Sequence, residues 1–206
     1  MKIFIRSVAI AALAVFAVTS SSPVKAAPLT YQAILGPEAS GATGSGTARA
    51  VIDAMAHTMR VVVNFAGLSG NTTVAHIHAP TTTAFTGTAG VATPTPSFPD
   101  FPAAVTSGSY DQTFDMTLTS SYRAGFITSN GGTTAGAETA LFTAIADGKA
   151  YFNIHSSSFP GGEIRGFFVP SAVPEIDPAT GSSALSLIAG VLAMIEQRRR
   201  RAALVA

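Results

Sequence analysis

The chain reads as an all-β domain, an antiparallel β-sandwich or small Greek-key barrel with one short helix, followed by a C-terminal hydrophobic helix. Three observations predict this. Runs of β-branched and aromatic residues, such as Arg60-Val61-Val62-Val63-Asn64-Phe65 and Tyr151-Phe152-Asn153-Ile154-His155, recur along residues 28–172, and such residues fit the pleated surface of a strand. Glycine, serine, threonine and proline punctuate the gaps between them. No strand–helix–strand alternation is present, which argues against a parallel sheet.

In chain order the predicted strands are Leu29–Leu35, Gly46–Ala54, Thr58–Phe65, Thr73–His78, Tyr110–Leu118, Ala150–His155 and Glu163–Val169. Asp53 to His57 reads as the turn between two paired strands, and Pro160-Gly161-Gly162 as another. Ala137 to Ala146 is helix-like, with Gly148 placed as its C-terminal cap. Residues 79–109 are rich in threonine and proline without periodicity, and read as a long excursion of the functional or mobile kind.

The two ends carry different chemistry. Lys2 and Arg6 precede an apolar run from Val8 to Val18, and Val24-Lys25-Ala26 offers small residues for cleavage after Ala26. Residues 1–26 therefore read as a signal peptide, and the run is too short to span about 30 Å of hydrocarbon. At the other end, Ala179 to Ile195 is 17 residues interrupted only by small side chains, and Arg198 to Arg201 follow it. That is the short edge of a transmembrane helix, with the arginines on the cytoplasmic side and the domain outside. The expected organisation is signal peptide 1–26, β domain 27–172 and sorting or anchor segment 173–206.

Composition excludes several functions. The 206 residues hold 12 Lys and Arg against 11 Asp and Glu, for a net charge of +1. Residues 28–173 hold five basic and eight acidic residues, so the domain carries about −3 and the tails supply the positive charge. A mildly acidic body without a basic stripe gives no footprint for nucleic acid. The absence of cysteine removes disulfides, thiolate metal sites and a cysteine nucleophile. No Gly-x-Ser-x-Gly elbow, dinucleotide fingerprint or phosphate-binding lysine loop occurs. The eight acids favour no catalytic pair, and no catalytic residue is assigned.

Three stretches carry candidate chemistry: Val74-Ala75-His76-Ile77-His78, Tyr151-Phe152-Asn153-Ile154-His155 and Gly161-Gly162-Glu163-Ile164-Arg165-Gly166. Side chains alternate along a strand, so His76 and His78 share one face, about 7 Å apart. His155 from a neighbouring strand is the candidate third ligand, and three imidazoles with an open position suit zinc or copper. The alternative is structural: the histidines donate to backbone carbonyls in a polar layer and hold no metal. Glu163 and Arg165 are expected to form a structural ion pair closing the last strand. His57, beside a turn, is assigned no role.

Taken in order, the three stretches resemble the CHRD domain, named from chordin, over about Leu29 to Phe168. The resemblance implies a β-sandwich module of extracellular proteins without well-established catalytic activity. Phe167 stands where that family often has a polar residue. Val173-Pro174-Glu175, the apolar stretch and the arginine cluster resemble the PEP-CTERM sorting signal of exopolysaccharide-producing bacteria, except that Ile176 and Asp177 intervene before Pro178. That resemblance implies an exosortase-type processing enzyme, with exopolysaccharide or other surface proteins as partners and the membrane met through the C-terminal helix. The reading is a non-enzymatic module of the envelope or matrix acting by binding or structure; the alternative is a zinc- or copper-binding protein, with or without redox chemistry, using the three histidines.

Overall fold

The computed structural model describes residues 27–171 together with Met194 and Ile195. Among the described residues eight strands form: β1 (Leu29–Pro37), β2 (Ser45–Asp53), β3 (Thr58–Ala66), β4 (Thr72–His78), β5 (Gly108–Asp115), β6 (Tyr151–Ser156), β7 (Ile164–Phe167) and β8 (Val169–Pro170). Their pairings are all antiparallel, in the order β4-β6-β7-β1-β2-β3-β5, with β8 also on β1. The sheet is thus continuous and curves into a half-barrel rather than separating into the two layers of a sandwich. Strand β1 is the joint: Leu29 to Leu35 pair with β2, while Gly36 and Pro37 pair with Arg165 and Ile164 of β7.

Alternation decides which face of each strand is buried. Met59, Val61, Val63 and Phe65 of β3 point inward with Ala48, Ala50 and Ile52 of β2, while Arg60 and Asn64 face water. Each large apolar side chain buried in this way contributes about 1.5–3 kcal/mol. Strand β6 is different. Tyr151, Phe152, Asn153 and Ile154 are all buried, so both faces of this strand are covered.

Residues 79–107 provide that cover. Phe98 stacks on Phe152, with centroids 5.8 Å apart, and packs against Phe114 at 5.3 Å. Phe101 packs on Phe65 and Tyr110 at 5.7 and 5.2 Å. These aromatics close the open side of the half-barrel. The same segment satisfies the outer edge of β4: Ala92 N–H donates to Ile77 O, Phe98 N–H to Ala75 O, and Ala104 N–H to Thr72 O. An edge strand is thereby protected from pairing with other chains.

Helices α1 (Ala124–Ser129) and α2 (Thr134–Ala146) cross between β5 and β6 in the chain. The helix expected from Ala137 starts three residues earlier, where the Thr133 side chain accepts from Gly136 N–H. It ends as expected at Gly148, which has φ +67°. Gly148 N–H reaches Ile145 O and Lys149 N–H reaches Ala144 O, the paired bonds of a Schellman stop. Helix α1 was not expected. Among the described residues no helix is long and apolar enough to cross a membrane. The segment expected to do so, 179–195, lies outside the described residues apart from Met194 and Ile195, which are helical.

Candidate metal centre

Strands β4 and β6 place the histidines. Their register sets His76 opposite Asn153, His78 opposite Tyr151 and Val74 opposite His155, which puts His155 diagonal to His76 on the shared outer face. One ring nitrogen from each histidine lies within 4.8 Å of the other two. The structure therefore brings His76, His78 and His155 together. The rings meet edge to face between His76 and its two neighbours, at centroid distances of 5.8 and 5.6 Å.

The second nitrogen of each ring is engaged. His76 Nε2–H donates to the carbonyl of Pro96 at 2.6 Å. His78 Nδ1–H donates to Ala89 O at 2.8 Å, and His155 Nδ1–H to Pro160 O at 2.8 Å. A carbonyl can only accept, so each bond fixes the neutral tautomer. The lone pairs are left on His76 Nδ1, His78 Nε2 and His155 Nε2, three buried nitrogens without a hydrogen-bond partner. This is the arrangement by which metal-ligating histidines are oriented by carbonyls behind them. Nitrogens on one zinc ion stand about 2.0–2.1 Å from it, so the three rings would have to draw inward to share an ion.

Burial opposes protonation here. It pushes His76 down to about 4 from 6.5, outweighing the Pro96 bond, and the neighbouring His155, His78 and Arg123 push the same way. His78 is also lowered, by burial first. At neutral pH burial keeps His76 and His78 uncharged, the form in which an imidazole can bind a metal.

Glu163 and Arg165 do not pair with each other. The Arg165 guanidinium lies 3.2 Å from Glu38, whose carboxylate also accepts from Asn153 Nδ2 at 2.7 Å. The Glu163 carboxylate is fully buried and accepts from the backbone N–H of Ser69. Burial pushes its pKa up, but hydrogen bonds from Ser156, Ser69 and Gly70 outweigh this and hold it below the ordinary value. The expectation fails because Glu163 precedes the first residue of β7 and so is not an alternate position on the same strand as Arg165. The flanking glycines have steric reasons. A Cβ on Gly166 would run into the carbonyl of Ile34, and Gly162, at φ +128°, leaves room for Asn153 and Glu38.

His57, to which the sequence gives no role, approaches Glu138 of α2 with its Nδ1 3.0 Å from both carboxylate oxygens. It ties the β2–β3 turn to the helix, away from the cluster. Sequence reasoning also missed the carbonyls of Ala89, Pro96 and Pro160, which carry no side-chain signal, and Glu38, whose place follows only from the β1–β7 pairing.

A family model of the CHRD domain matches residues 26–168, and a model of the VPEID-CTERM protein sorting domain matches residues 173–203. Val173-Pro174-Glu175-Ile176-Asp177 spells the name of that sorting class, so Ile176 and Asp177, which depart from the PEP-CTERM pattern, belong to the signature of the class matched. No curated protein and no solved structure matches the chain.

Proposed function

This chain belongs to the CHRD domain family, and on that premise we propose that it is an exported, non-enzymatic surface module that holds a zinc or copper ion on His76, His78 and His155. One observation carries the reading: three buried imidazole nitrogens converge without partners while a carbonyl behind each ring fixes the tautomer. A neutral, purely hydrogen-bonding role accounts for the three outward bonds and leaves three lone pairs facing one another. A cation between them removes that repulsion. With three protein ligands the ion keeps a position for water or another small ligand, unlike the closed four-ligand sites that only brace a fold.

The terminal segments support where the module works. A signal peptide over residues 1–26 starts export, and the sorting segment is consistent with processing by an exosortase-type enzyme. The domain is then delivered to the envelope or matrix, where exopolysaccharide and other surface proteins surround it.

Thermal melts test the metal. Chelator-stripped protein should melt higher when zinc or copper is added, since an ion that binds only the folded state at 100 times its Kd adds about 2.7 kcal/mol. His155→Ala should remove the shift, and His57→Ala should keep it. A wild type whose melting point ignores both metals contradicts the proposal. So does a His155→Ala variant that is equally destabilised with and without metal, the pattern of a histidine used only as a donor.

A further inference from the structure

The ring of His78 lies flat on the ring of Tyr151, with centroids 4.8 Å apart and planes 4° from parallel. The guanidinium carbon of Arg165 stands 5.1 Å from the centre of the same tyrosine ring. His78 and Arg165 come from β4 and β7, the two strands that flank β6. Tyr151 is thus clasped between an imidazole and a cation, an arrangement that its negative π face favours.

The clasp also grips the backbone behind His78. Ala89 O accepts the His78 Nδ1 proton, while Ala89 N–H points to the Tyr151 hydroxyl at 3.4 Å. Two residues earlier in the chain, Gly87 O accepts from Arg165 Nη1 at 3.2 Å. The same Arg165 Nη1 lies 3.2 Å from the Glu38 carboxylate. A planar guanidinium can stack on a ring and donate in its own plane at once, which the point charge of a lysine cannot do.

We infer that Tyr151 and Arg165 are positioning residues for the metal site, setting the plane of the His78 ring and the place of the carbonyl that takes its proton. The inference rests on the metal reading of the three histidines. Neither side chain supplies a ligand. Their effect is to hold one ligand ready, so that less ordering is needed when the ion arrives.

Zinc and copper titrations of the stripped full chain test this, with Tyr151→Leu, Tyr151→Phe and Arg165→Lys compared with wild type. Tyr151→Leu and Arg165→Lys should weaken binding about ten- to a hundredfold, the usual cost of losing a group that orients a ligand. Tyr151→Phe keeps the ring and loses only the long hydroxyl contact with Ala89, so its affinity should fall between those of Tyr151→Leu and wild type. A second readout needs no metal: nitrogen-15 spectra of the imidazoles should show the His78 Nδ1 proton exchanging faster in folded Tyr151→Leu than in wild type. Unchanged affinity together with unchanged exchange overturns the inference. A wild type that binds neither metal, in which Tyr151→Leu still frees the His78 proton, upholds the positioning and overturns the metal reading instead.

Discussion

Glu163→Ala is expected to cost the domain about 3–5 kcal/mol in denaturant unfolding. The side chain is fully buried, so its removal leaves a hole under the turn between β6 and β7. It also strands a donor: the backbone N–H of Ser69 loses the carboxylate oxygen it is bonded to. A buried donor without an acceptor costs about 1–3 kcal/mol on its own. Glu163→Gln keeps the volume and one acceptor, and its cost should be smaller, about 1–2 kcal/mol. A Glu163→Ala protein within about 1 kcal/mol of wild type would mean that the buried carboxylate does not brace this corner.

The second large effect is acid sensitivity of the metal-free protein. Burial holds His76 at about 4, against 6.5 in the unfolded chain. Between those values the unfolded chain takes up a proton that the folded chain refuses, so stability falls as pH drops from 6.5 towards 4. The shift corresponds to a loss of roughly 3 kcal/mol across that window. His78, lowered by the same burial, works in the same direction. Glu163 acts lower on the scale: its depressed value supplies stability that is present above 4.5 and is lost as pH falls below it. Urea unfolding at a series of pH values separates the two. His76→Gln should flatten the curve between pH 6.5 and 4.5 and leave the fall below 4.5 in place. An unchanged upper slope would show that His76 is not held neutral by the fold.

Local pattern made most of the strands legible. The alternation in Met59-Arg60-Val61-Val62-Val63-Asn64-Phe65 marks a half-buried strand, and the observed Thr58–Ala66 extends the expected Thr58–Phe65 by one residue. The helix was legible from its C-terminal glycine more than from its start. Curvature was not legible, because it depends on Gly36 and Pro37 meeting Arg165 and Ile164 across most of the chain. The excursion was not either. Phe98 and Phe101 have no periodic neighbours, and only their contacts with Phe152, Phe65 and Tyr110 place them in the core. Helix α1, six residues long, is shorter than two turns and shows no apolar period.

The clustering of the three histidines was legible for a simple reason. A period of two puts His76 and His78 on one face, and pairing of β4 with β6 needs no more than one register to bring His155 beside them. What orients the rings was hidden, since the acceptors are main-chain carbonyls and the stacking of Tyr151 on His78 follows from cross-strand placement. The motif around Arg165 was misread for the same reason: period two assigned Glu163 as its partner, and long-range pairing supplied Glu38.

X-ray absorption of the zinc- or copper-loaded protein tests the central claim most directly, because it counts the imidazoles on the ion. Three should appear, at about 2.0–2.1 Å for zinc, falling to two in His155→Ala and staying at three in His57→Ala. A loaded wild type whose ion shows oxygen neighbours and no imidazole scattering would place the metal elsewhere and leave the three histidines without one.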